Sequence, residues 1–207
     1  MQRQKDEVRQ RILAAALKLF AQRGYQQTTM ARIATAADIA TGNLYRYFES
    51  KEDLFAAVMP DAFVQELLAL ITRKVTALDG VDDIRSLPAD SQWHRVSTAL
   101  LDFCMSNRLR MIILYTGAAG SPLSDVPERI IGVLKKLALE HFRSVSPTLS
   151  PTRIHLAGLD LTYRNFIQAL SAILLKFKRE QDVRQALQAL IHYHLAGLRA
   201  MFRMLAE

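Results

Sequence analysis

The sequence predicts an all-α fold of about nine helices, and three observations carry that expectation. Apolar residues recur at i, i+3, i+4 spacing along nearly the whole chain, the period of a helix with one buried stripe. No stretch shows the β-branched alternation bounded by turns that marks a half-buried strand. The interruptions fall on Gly, Pro and short Asp/Ser clusters, which stop helices and start turns. With 207 residues, half of them apolar, the chain has ample material for one large core or two smaller ones.

The first helix is expected over about residues 5 to 22, with Val8, Ile12, Ala15, Ala16, Leu19 and Phe20 on one stripe and Gly24 placed for a left-handed cap. Thr28 or Thr29 then caps a second helix, in which Met30, Ile33, Ala34 and Ala37 share a side. A tight turn at Asp38 leads to a third helix over residues 40 to 47, anchored by Leu44 and Phe48. A long pattern from Ser50 to Leu78 follows, and Pro60 must kink it or start it afresh because proline lacks an N–H. Ser50 and Asp53 match a capping box loosely, with Asp in place of Glu. Residues 79 to 91 read as a polar loop, and further helices are expected near 92 to 106, 108 to 118, 127 to 144, 153 to 178 and 181 to 205. In the last of these, Val183, Leu187, Leu190, Leu198, Met201 and Leu205 form one apolar face, and Ala186, Ala189, Tyr193, Ala196 and Ala200 a neighbouring one. A helix apolar on two sides needs covering twice, so the small-residue side is expected to meet a second copy of the chain.

The formal charge of +7 favours a polyanionic partner, and its placement is informative. Residues 1 to 51 contain nine Lys or Arg against four acids, so most of the surplus lies in the first quarter. The charged start MQRQKDEVRQ is no secretory leader, and no run of about 18 uncharged apolar residues could cross a bilayer. The expected compartment is the cytoplasm. The single cysteine, Cys104, sits among apolar neighbours in LLDFCMS and reads as a packing residue.

Helix, tight turn, helix over residues 30 to 49 is the layout of a helix-turn-helix reader of DNA. Thr41, Asn43, Tyr45, Arg46 and Tyr47 offer hydroxyl, amide and guanidinium groups to phosphates and base edges, while Gly42 lets the backbone approach a groove wall. The stretch GYQQTTMARIATAADIATGNLYRYFESKEDLF, residues 24 to 55, resembles the amino-terminal domain of the tetracycline-repressor (TetR) family. The resemblance covers about a quarter of the chain. It implies a homodimer that pairs through its last two helices and binds double-stranded operator DNA. Residues 1–50 would form the DNA-binding domain, and residues 51–207 a helical domain for an unknown small-molecule effector and for dimerisation. It also implies that Thr28, Thr29 and Lys51 hold phosphates and that Thr41, Gly42, Asn43, Tyr45, Arg46 and Tyr47 occupy recognition positions. Two departures stand out: Asp38 where the family commonly has Gly, and Ala40 in place of a capping Ser, which leaves Thr41 as cap or as base reader.

Beyond residue 92 the aromatic stripes outline an effector pocket: Trp93, Leu100 and Phe103, then Met111 and Tyr115, then Tyr163, Asn165 and Phe166. The same stripes are equally the pattern of plain core. No catalytic or cofactor motif is found, and His192 and His194, two residues apart on a helix, face away from each other and cannot share a metal. The expected function is a sequence-specific, ligand-responsive repressor. In that reading the fourth helix is the lever, starting at Lys51 and running under the pocket, with Met59-Pro60 as its flexure point. The alternative is an all-helical small-molecule binding module without specific DNA recognition.

Overall fold

The computed structural model describes residues 2–79, 81, 87–145 and 150–204. These residues form ten α-helices, one of them extended by a π-helical turn, and no strand occurs among them. The order is α1 (Gln2–Gln27), α2 (Met30–Ala36), α3 (Thr41–Leu44), α4 (Lys51–Val58), α5 (Asp61–Thr76), α6 (Gln92–Ser106), α7 (Arg108–Ile112) with a π-helical turn at Ile113–Gly117, α8 (Val126–Val145), α9 (Arg153–Lys176) and α10 (Glu180–Met204). The expected 79–91 loop lies partly outside the described residues, as does Leu205. Packing divides the chain into two units, Met1–Gln65 with Asn107–Pro127, and Glu66–Ser106 with Glu128–Glu207.

In the first unit α1 is the hub, packing on α2, α4, α7 and the π-turn. Its stripe behaves as the periodicity requires, with Ile12, Ala16 and Phe20 fully buried. Gly24 adopts φ 73°, which only glycine reaches without strain, and it kinks α1 so that Tyr25 folds back on Phe20 and Phe55. The long 51–78 pattern is two helices: Met59 leaves helical geometry and α5 starts immediately after Pro60. Residues 51–76 are apolar enough to cross a membrane by length and composition, yet half of an 18-residue apolar window within them is buried in the fold. The segment expected as one α-helix over 108 to 118 changes to π geometry after Ile112. Gly117 there lies so close to α1 that a Cβ would sit 3.0 Å from the Phe20 carbonyl and 3.2 Å from Gly24 Cα.

The second unit is built on α9 against α10. Thr152 caps α9, accepting from the His155 N–H while the His155 ring accepts from the Thr152 N–H. Leu159, Tyr163, Ile167 and Leu174 of α9 are buried, as are Val183, Leu187 and Leu198 of α10. Phe142 of α8 stacks on Phe202 of α10 with centroids 3.7 Å apart. Arg164 of α9 forms a two-pronged pair with Glu128 of α8 at 2.5 and 2.7 Å and also bonds Asp160, which Lys135 reaches from α8. This network fixes how α8 lies on α9.

Candidate nucleic-acid interface

Thr29 caps α2, its hydroxyl accepting from the Arg32 N–H at 3.3 Å. Thr28, expected at a phosphate, is placed otherwise. It is completely buried and its hydroxyl donates to the Gly24 carbonyl at 2.7 Å, so it has no surface to offer a ligand and instead ties down the end of the α1 kink. Ile33 and Ala34 are buried on the inner side of α2. Asp38 then turns the chain with φ 55°, the left-handed conformation expected at the Asp-for-Gly departure.

The third helix starts without side-chain help, since Ala40 occupies the cap and makes no capping bond. Thr41 is its first helical residue. The regular helix is shorter than the expected 40 to 47 and ends at Leu44. Tyr45, Arg46 and Tyr47 continue as a hydrogen-bonded turn, with Arg46 N–H donating to Asn43 O at 3.2 Å and Tyr47 N–H to Leu44 O at 2.9 Å. Without a capping hydroxyl, and with Gly42 inside it, so short a helix tightens into i→i+3 bonds at its end. Leu44 and Phe48 anchor it in the core. The other residues from 41 to 47 face outward: Thr41, Gly42, Tyr45 and Arg46 are exposed, Asn43 and Tyr47 partly so. Tyr45 is 51% exposed, so its ring is not a packing element of this unit. Nothing lies within 4 Å of where a Gly42 Cβ would be, so no internal contact requires glycine there.

Lys51 opens α4 and is held in place. Its ammonium lies 4.1 Å from the Tyr25 ring centroid and donates to the Tyr25 carbonyl at 3.2 Å. The Tyr25 hydroxyl donates to Glu52 Oε1 at 2.6 Å, and this bond is the main reason the Glu52 carboxyl sits below its usual range. Burial, followed by the bond to Glu52, pushes the Tyr25 hydroxyl up. The Ser50 hydroxyl accepts from Asp53 N–H at 3.0 Å, while Asp53 Oδ2 accepts from Glu49 N–H, one residue outside the usual box.

Two residues not singled out by the sequence join this surface. Lys5 and Arg9 of α1 line a hollow of about 300 Å³ together with Asp6, Asn43, Arg46 and Tyr47. Arg9 is positioned by the Phe48 ring, with its guanidinium carbon 5.3 Å from the ring centroid. Three cations thus face one carboxylate around the outward groups of α3. The i, i+4 spacing of Lys5 and Arg9, inside the basic first quarter, was the available signal.

The expected effector residues divide between the units. Trp93 and Tyr163 are buried and Leu100, Phe103 and Phe166 partly buried in the second unit, where Asn165 is exposed. Met111 is buried and Tyr115 partly buried in the first unit. Cys104 is buried, and burial pushes its thiol up to about 12, so it stays protonated.

Comparison with known proteins places residues 12–58 in a family model described as bacterial regulatory proteins, tetR family. The chain is 30% identical over 133 residues to the uncharacterized HTH-type transcriptional regulator YhgD of Bacillus subtilis, covering 64% of each chain. It is 38% identical over 65 residues to the HTH-type transcriptional regulator HbdR of an Aromatoleum species, covering 30% of this chain and 28% of that one. The matched stretches therefore span less than two thirds of these relatives. In fold the chain is similar to a TetR-family transcriptional regulator from Bordetella parapertussis, with a TM-score of 0.56 at 18% identity, covering 89% of this chain and 94% of that one.

Proposed function

The chain belongs to the tetR family of bacterial regulatory proteins, and from that premise we propose that it is a sequence-specific DNA-binding transcriptional regulator. In this reading it acts in the cytoplasm as a ligand-responsive repressor and binds a palindromic operator as a homodimer. The observation that carries the reading is the outward row Thr41, Gly42, Asn43, Tyr45, Arg46 and Tyr47, set on the buried anchors Leu44 and Phe48. A core would not use these side chains, and a major groove accepts all of them. Thr29, Lys5, Arg9 and Lys51 take phosphates, which fix register without reading sequence. DNA binding falls to residues 1–50 together with Lys51 at the start of α4, and effector binding and dimerisation to the rest of residues 51–207.

The dimer reading is supported by an unpaired apolar face in the second unit. Ala189, Tyr193, Ala196 and Ala200 fall at i, i+4, i+7, i+11 on α10 and are all exposed, Tyr193 by 79%. On α9, Leu161 and Leu175 lie two heptads apart and are exposed by 61% and 54%. Two copies joined through α9 and α10 would present two α3 helices to half-sites about 34 to 36 Å apart. An effector shifts operator affinity only by binding one spacing of the readers better than the other. The break at Met59-Pro60 between α4 and α5 is the proposed flexure, and Pro60→Ala should change the effector response if it is.

Selection of binding sites from random DNA at about 150 mM salt tests the whole reading, since salt suppresses non-specific phosphate binding. Recovery of a palindrome supports a dimeric reader. Absence of any sequence preference would leave the small-molecule binding module without DNA recognition.

A further inference from the structure

The second unit contains polar side chains that its own fold leaves without partners. Lys74 of α5 is partly buried, and its ammonium stands 5.3 Å from the centroid of the Trp93 ring on α6. No carboxylate pairs with it among the described residues. Trp93 is only 5% exposed, yet its indole N–H makes no hydrogen bond. Ser97 Oγ, one turn further along α6, is also buried and unpartnered, as is Nε2 of His194 on α10. The His194 ring lies 4.3 Å from Phe166 and 5.0 Å from Tyr163, measured between centroids.

These groups belong together. The charge of Lys74 on α5 reaches both His194 of α10 and Cys104 of α6. Burial lowers Lys74 to about 8 and His194 to about 4. At neutral pH the lysine is therefore mostly charged and the imidazole neutral. One cation, an N–H donor, a hydroxyl and a neutral imidazole thus lie in the unit that holds the Trp93, Tyr163 and Phe166 rings, and among the described residues no carboxylate pairs with the cation. Unpartnered buried polar groups of this kind are uncommon in folded proteins, and those that occur together require an explanation.

We propose that Lys74, Trp93, Ser97 and His194 bind the carboxylate of a small organic acid whose aryl or alkyl body packs against Phe166 and Tyr163, which makes an apolar monocarboxylate the effector class. This assignment rests on the ligand-responsive regulator reading. The ammonium neutralises the carboxylate, and the indole N–H and seryl O–H donate to its oxygens. The Phe166 and Tyr163 rings beside His194 suit an apolar body. An amide of the same shape would keep the packing but lose the ion pair.

Trp93 is the chain's single tryptophan, so its emission reports directly on this site. Benzoate, 4-phenylbutyrate and octanoate, each beside its primary amide, are titrated against the full-length protein. At least one acid should change the emission saturably and bind at least tenfold more tightly than its amide. Lys74→Met and Lys74→Gln should both abolish that preference while circular dichroism shows the helices intact, and Lys74→Arg should retain part of it. The proposal is overturned if none of the acids binds below about 5 mM, if acid and amide bind alike, or if the preference survives in either neutral variant. Operator binding without any acid is measured in parallel. Retained operator binding with no acid response removes this assignment alone, whereas an acid response without operator binding removes the regulator reading alone.

Discussion

Gly42→Ala separates what the fold needs from what the DNA surface needs. The position is exposed, its φ is not positive, and an added Cβ would have nothing within 4 Å. For stability the substitution should therefore help: alanine in a helix is favoured over glycine by about 0.5–1 kcal/mol, with the lower figure appropriate to the one-turn α3. For operator binding it should hurt. If a groove wall packs against the bare Cα, the methyl group forces a displacement costing about 1–3 kcal/mol, roughly 5- to 150-fold in affinity. The contrasting control is Gly117→Ala, whose Cβ would meet the α1 backbone at 3.0 and 3.2 Å and should destabilise the fold by about 1–3 kcal/mol. Urea unfolding gives the stability of each variant, and fluorescence anisotropy with the selected operator gives the affinity of the Gly42 variant. A Gly42→Ala protein that is less stable than wild type, or that binds operator equally well, would refute the assignment of this surface.

Arg46→Ala and Tyr47→Phe should each weaken binding to the selected palindrome, Arg46→Ala by about 1–3 kcal/mol if its guanidinium reads a base; equal losses on unrelated DNA would move Arg46 to the phosphates. Lys5→Ala, Arg9→Ala and Lys51→Ala should each reduce the slope of log affinity against log salt by about one unit, and an unchanged slope takes that residue out of the contact. In Tyr25→Phe the Glu52 carboxyl loses the bond that chiefly holds it down, so carboxyl NMR should show it titrating higher; an unmoved titration would mean the bond does not form in solution. His194 is neutral in the fold down to about pH 4, whereas in the unfolded chain it takes up its proton near 6.5. The unfolded state then binds more protons in that window, so stability should be full above pH 6.5 and fall between 6.5 and 4. His194→Gln should flatten that part of the stability curve, and an unchanged curve would show that His194 is not buried as described.

Much of this protein follows from local rules that a sequence states directly. Helical periodicity picks out Ile12, Ala16, Phe20, Ala34 and Leu44 as core because each sits on the inner stripe of its own helix. The missing N–H of Pro60, the hydroxyl of Ser50 and the left-handed tolerance of Asp38 each act within a few residues, so the helix break, the cap and the turn were all legible. The resemblance to the tetR family rested on the same short segment.

What depends on distant parts of the chain meeting could not be read that way. Thr28 and Thr29 are indistinguishable in sequence, and only the α1 kink at Gly24 decides that the first is buried on a carbonyl and the second faces solvent. Lys5 and Arg9 gain their place because α1 brings them to Asn43 and Arg46, more than thirty residues away. Lys74, Trp93 and His194 are scattered over three helices, and no spacing rule links them. Periodicity fixes which side of a helix turns inward, but which side chains it meets there is set by how the helices pack.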